Sequence, residues 1–137
     1  MRAPGVPASL QRRVRVRAHE RCEYCRLPQA GQEATFHIDH VKPVRDGGPT
    51  TFDNLALACV SCSLRKGARS LAPDPEGGGL APIFNPRTEA WHTTFAVEAG
   101  FLLSTSASGR ATILALAMNR PVAVAIRLEL ALLGSFP

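Results

Sequence analysis

The chain has 137 residues, of which 45% are hydrophobic and 20% charged. These proportions fit one globular domain, or one small module with an extension, and exclude a wholly disordered chain. The net charge is +5, no apolar run nears the roughly 20 residues that span a bilayer, and no apolar segment follows Met1-Arg2, so a soluble cytoplasmic protein without membrane association is expected.

In chain order, residues 1–7 carry two prolines and a glycine and read as a loose arm. Ser9 is placed to cap a helix reaching about residue 20. Leu10, Val14 and Ala18 recur at helical spacing and should pack inward. Arg13, Arg17 and Arg21 form a second row that stays wet or touches phosphate. His19 beside them reads as a surface residue. Residues 27–34 read as loop. Phe36 and Ile38 alternate with His37 and Asp39, which predicts a strand over 35–41 that Pro43 ends. Asp46-Gly47-Gly48-Pro49 is a turn, and 50–54 a loop. Residues 55–58 are a short apolar run. A helix should then start near Cys59 or Val60 and run to about Lys66, with Gly67 as its stop.

Residues 71–79 hold Pro73, Pro75 and three consecutive glycines, and read as a linker or a long surface loop. Beyond them Trp91, Thr93, Phe95 and Val97 alternate, as do Phe101 and Leu103. This predicts a β-hairpin turning near Glu98-Ala99-Gly100. His92 has no partner in sequence and reads as surface. Helices are expected from Ser108 or Gly109 to Met118, and from Pro121 to Leu133, the latter stopped by Gly134. The division is thus a module at 1–70, a linker at 71–79, and an extension at 80–137 that packs on the module.

Charge and cysteine both concentrate in the first half. Residues 1–70 hold 12 Lys/Arg against 6 Asp/Glu, and residues 71–137 hold 4 against 5. A basic half beside a neutral one suits contact with a polyanion, or a solvated basic surface. All four cysteines form two pairs, Cys22-x2-Cys25 and Cys59-x2-Cys62. In a reducing compartment two such pairs suit a tetrahedral S4 metal shell better than disulfides. Zinc fits that shell, with iron as the weaker option; the alternative is unbound cysteines, one pair of them redox-active. With no open position, the zinc would be structural and would contribute folding energy.

Between the pairs lies the stretch that carries chemistry. Cys22-Glu23-Tyr24-Cys25, His37-Ile38-Asp39-His40-Val41-x-Pro43, Gly47-Gly48, Asn54-Leu55 and Cys59-x2-Cys62-Ser63-x2-Lys66-Gly67 together resemble the HNH endonucleases. The closest branch has two CxxC pairs bracketing the ββα-metal nuclease motif. The resemblance covers about residues 9–69. It implies an α+β fold, a small zinc-stabilised ββα-metal module followed here by a hairpin and helices. It also implies metal-dependent hydrolysis of DNA phosphodiesters.

By that resemblance His40 is the general base, Asp39 a ligand of a catalytic Mg2+ or Mn2+, and Asn54 the residue that orients the loop and the base. Arg65, Lys66 and Arg69 would grip DNA phosphates. The chemistry is consistent, since a histidine titrates near operating pH and a hard ion suits carboxylate and water. The family's third motif position, after the last cysteine, is usually His or Asn; here it is Ser63. His37 shares a strand face with Asp39 and offers a second candidate ligand. Because Asp39 and His40 are adjacent, the strand is expected to end or bulge there, so that both side chains open into one groove near Ser63. A non-catalytic zinc module that binds nucleic acid, or a zinc-bearing protein-interaction domain, are the competing readings. Nothing indicates a homo-oligomer.

Overall fold

The computed structural model describes residues 5–136. The proline-rich arm therefore lies partly outside the described residues, but its end is anchored: Val6 is buried and its carbonyl accepts from Gln11 Nε2. Helix α1 spans Ala8–Arg17. Its N-cap is Pro7, not Ser9, which lies inside the first turn, and no side chain caps it. Val14 and Ala18 are buried and Leu10 packs against the core, as their spacing requires. Arg15 and Arg17 in the last turn complement the negative helix terminus.

His19, Glu20 and Arg26 adopt positive φ as the chain folds into the first cysteine turn. Strand β1, His37–His40, pairs antiparallel with β2, Leu55–Ala58. The register sets His37 opposite Ala58 and His40 opposite Leu55, with no bulge. Helix α2, Val60–Lys66, follows at once, its first turn capped by Cys59 Sγ accepting from the Cys62 N–H. Gly67 ends it at φ 55°.

Residues 71–82 are not a free linker. Strand β3, Leu71–Pro73, pairs with β4, Leu80–Pro82, to form a hairpin packed on the helix that begins at Ala107. Asp74 organises its turn by accepting from the N–H groups of Glu76 and Gly77. Both prolines sit at strand ends of a two-stranded ribbon, where no neighbouring strand needs their missing N–H.

The predicted strand over residues 91–97 is half right. Trp91–Thr94 form a single helical turn, α3, and the hairpin comprises β5, Ala96–Glu98, and β6, Phe101–Leu103. Its two-residue turn lies at Ala99 and Gly100, both at positive φ. Helix α4, Ala107–Ala115, is capped by Ser106, which accepts from the Gly109 N–H. Helix α5, Pro121–Leu132, has proline in its first turn and Gly134 beyond its end.

One core runs through module and extension. Val14, Tyr24, Phe36 and Leu57 on one side join Phe84, Trp91, Phe95, Leu102 and Met118 on the other. Phe84 meets Phe95 edge-on and Trp91 lies tilted against it, with ring centroids 5.2 and 5.1 Å apart. The first cysteine turn is gripped residue by residue from the extension. Arg87 pairs with Glu23, Trp91 Nε1 donates to the Tyr24 carbonyl at 2.8 Å, and Arg127 Nε donates to the Cys25 carbonyl at 3.4 Å. No described helix is long and apolar enough to cross a membrane.

Candidate functional site

Both cysteine pairs meet. The Sγ atoms of Cys22, Cys25, Cys59 and Cys62 all lie within 4.8 Å of one another, and Cys25 and Cys59 are 3.7 Å apart. A tetrahedral zinc at about 2.3 Å from each sulfur would hold them roughly 3.8 Å apart. The donor set therefore fits a structural zinc. All four are free thiols and buried. Hydrogen bonds from Cys22, Cys25 and Cys62 draw Cys59 far down, burial pushes Cys22 well up, and the hydrogen bond with Cys22 pushes Cys62 well up. A divalent cation is what would let all four ionise together.

Beside this cluster, β1 and α2 set out the candidate catalytic residues. Residues two apart on a strand share a face, so His37 and Asp39 both turn toward α2. His37 Nδ1 lies 2.8 Å from Ser63 Oγ. Asp39 Oδ2 accepts from the Tyr24 hydroxyl at 2.7 Å and lies 3.2 Å from Lys66 Nζ, with Oδ1 at 3.4 Å from the same nitrogen. His40 turns elsewhere: its Nε2 is 2.8 Å from Thr50 Oγ1. Strand β1 does end at His40, as expected. The imidazole beside Ser63 is His37.

Two charge states follow from burial. Asp39 is pushed up from the ordinary carboxylate range, because burial outweighs the attraction of Lys66 and the Tyr24 hydrogen bond. His40 is pushed down by burial, against the pull of Asp39, and is neutral at neutral pH. A neutral imidazole whose Nε2 meets a hydroxyl retains a basic nitrogen at Nδ1 when Nε2 carries the proton.

Asn54 is a loop clamp. Its Nδ2 donates to the carbonyls of Lys42 and Pro49, and its Oδ1 accepts from the Lys42 N–H. Its own carbonyl accepts from Val41. These bonds close the loop between β1 and β2. Gly48 is required there: a Cβ would lie 1.8 Å from the Lys42 carbonyl oxygen. Thr50, the partner of His40, is carried on this same loop.

Lys66 cannot serve as a free phosphate grip. It is 2% exposed, paired with Asp39, and donates to the His40 carbonyl at 3.0 Å. Arg65 and Arg69 are exposed, and linked by a hydrogen bond from Arg69 to the Arg65 carbonyl. The α1 arginine row is likewise committed in part. Arg17 donates to the carbonyls of Phe52 and Leu55 and stacks on Phe52, and Arg21 donates to the carbonyls of Arg26 and Ser135. Arg13 is exposed and also lies over the Phe52 ring. His19 and His92 are exposed.

Sequence reasoning missed Tyr24 and Thr50, which hold Asp39 and His40, and the pairing role of Lys66. None has a local signature, since each acts through a partner 10 to 27 residues away.

The family described as HNH endonuclease matches residues 22–69. The matched stretch is about a third of the chain, and its likeness is to the HNH domain. It begins at the first metal-ligand candidate, Cys22, and ends just after α2. No curated protein and no solved structure matches the chain. Proteins with an HNH domain generally act on DNA, and the domain here contributes His37, Asp39, His40, Asn54 and Ser63 to one hairpin and helix.

Proposed function

We propose that this protein is a metal-dependent endonuclease that hydrolyses DNA phosphodiester bonds. One observation supports the reading above others: the HNH domain retains Asp39, His40 and Asn54 on a hairpin whose loop Asn54 clamps by three side-chain hydrogen bonds. His40 takes a proton from the attacking water at Nδ1, while Thr50 orients the ring through Nε2. Asn54 keeps that loop, and so Thr50, in place.

A hard divalent ion, Mg2+ or Mn2+, suits the donors at hand: the Asp39 carboxylate, with Ser63 or His37 and the phosphate itself completing the set. When bound, it supplies charge stabilisation to the phosphate and the leaving oxygen. Zinc at the four cysteines is structural. Arg65 and Arg69, with Arg13 as a further cation, meet the DNA backbone. A cytoplasmic setting would keep the four thiols reduced.

A second reading has a specific observation in its favour. Lys66 neutralises Asp39, and the third motif position is Ser63, so the domain would keep the fold and bind nucleic acid without cutting it. Plasmid nicking with Mg2+ or Mn2+, with and without chelator, separates the two. The nuclease reading expects nicking that chelator stops and His40→Ala abolishes. DNA binding with no nicking under either ion selects the second reading.

A further inference from the structure

Arg127 sits in the middle of α5 with no surface exposed to solvent. Its guanidinium donates to three carbonyls, those of Cys25 at 3.4 Å, Gly100 at 3.0 Å and Met118 at 2.6 Å. Carbonyl oxygens carry only partial charge. Among the described residues no carboxylate forms an ion pair with Arg127. A guanidinium cannot shed its proton at working pH, so burying it without a counter-charge is costly. A nearby anion would offset that cost.

The anion is the sulfur cluster. The guanidinium reaches the cluster at Cys25, whose carbonyl accepts from Arg127 Nε at 3.4 Å, and negative charge on Cys25 and Cys62 favours its charged form. Four thiolates around one divalent cation leave two net negative charges in a buried site. Arg127, with no carboxylate partner, offsets one of those two charges. We propose that Arg127 is the counter-cation of a tetrathiolate metal centre at Cys22, Cys25, Cys59 and Cys62, and that through it α5 couples the extension to metal binding. The proposal rests on the reading of the cysteines as a zinc site. It gives residues 80–137 a task for which their sequence offers no motif: they supply charge as well as apolar area to a module that binds metal through the opposite half of the chain.

Groups just outside a metal's ligand shell commonly tune its affinity by 10- to 100-fold. The test uses the full chain. Zinc affinity is measured by competition with a chromophoric chelator, and the centre is read independently from the charge-transfer band of Co2+ bound to thiolates. Wild type is expected to bind one ion with a four-thiolate spectrum. Arg127→Met should weaken zinc binding about 10- to 100-fold. Arg127→Lys restores the charge without the fork of donors and should recover most of the affinity. Should Arg127→Met fail to fold, Arg127→Gln keeps amide donors for the carbonyls and is expected to show the same loss. Wild-type affinity in Arg127→Met or Arg127→Gln would overturn the counter-cation role, leaving Arg127 a carbonyl clasp. Wild-type protein that binds neither zinc nor Co2+ would instead overturn the zinc reading itself.

Discussion

Lys66 Nζ lies 3.2 Å from the Asp39 carboxylate and ties the same strand a second time through the His40 carbonyl. Both side chains are buried, and Asp39 is further held by the Tyr24 hydroxyl. Helix α2 is thereby pinned to β1 at the carboxylate proposed to hold the catalytic ion. Removing one partner of a buried pair leaves an uncompensated charge. Lys66→Met is therefore expected to destabilise the fold by about 3–5 kcal/mol. Chemical denaturation of the metal-loaded protein measures it. A purely DNA-gripping lysine would instead show unchanged stability and weaker DNA binding.

Asn54 makes three side-chain hydrogen bonds to loop backbone, each worth about 0.5–1.5 kcal/mol net. Asn54→Ala should cost roughly 1.5–4.5 kcal/mol, and it should lower nicking because Thr50 and His40 lose their fixed loop. Gly48→Ala attacks the same loop sterically, since the added Cβ meets the Lys42 carbonyl. Both variants should retain the cysteine site, which stands on α2 and the first turn. Metal analysis alongside nicking rates checks this. Loss of zinc in Asn54→Ala would show that the loop and the cysteine cluster are one cooperative unit.

Much of the module was legible because its signals are local. Two CxxC spacings announce turns that present paired sulfurs, and the 36–39 alternation, Gly67, Pro121 and Gly134 mark strands and helix ends at their own positions. The rest depends on partners far away in sequence. Trp91 and Phe95 are four residues apart and also two strand periods apart, so their spacing suits helix and strand alike; packing against Phe84 settles it as a helical turn. The 71–79 stretch reads as a linker because Pro and Gly dominate it. Its hairpin is held by Asp74 and by Arg110, 36 residues on. Arg17 and Lys66 read as surface cations until the carbonyls and the carboxylate that hold them are in place.

The Asp74–Arg110 pair gives the fold an acid-sensitive clasp. Arg110 above all, with the N–H groups of Glu76 and Gly77, holds Asp74 well below the usual carboxylate range. A depressed carboxylate contributes stability that is fully present above its unfolded value of about 3.9. That contribution is lost as pH falls below this value toward the folded one. Melting temperature should thus drop on acidification more steeply in wild type than in Arg110→Gln. Parallel acid limbs in the two proteins would mean the clasp is energetically idle.

His37 Nδ1 and Ser63 Oγ are 2.8 Å apart, so the two candidates for the second catalytic-metal ligand are in contact. Groups in contact do not act independently, and their mutational effects should fail to add. If Ser63 holds the ion directly, His37 serves to orient its hydroxyl. If His37 is the ligand, Ser63 orients the ring. In either case each single alanine variant removes part of the same anchor. His37→Ala and Ser63→Ala are each expected to lower nicking at limiting Mn2+, and the double variant should lose less than the product of the two losses. Ser63→Asn restores the family's commoner ligand type and should lower the Mn2+ concentration needed for half-maximal nicking, more so in the presence of His37 than in its absence. Zinc content should stay unchanged throughout, because Ser63 lies beyond Cys62 and contributes no sulfur. His40→Ala is the fixed reference in this series. It should lower the cleavage rate by about 10²–10⁴-fold while sparing DNA binding, since a general base acts on the water and not on affinity. Strict multiplicativity of the His37 and Ser63 losses would separate the two residues, and cleavage by His40→Ala at the wild-type rate would sink the HNH mechanism for this chain.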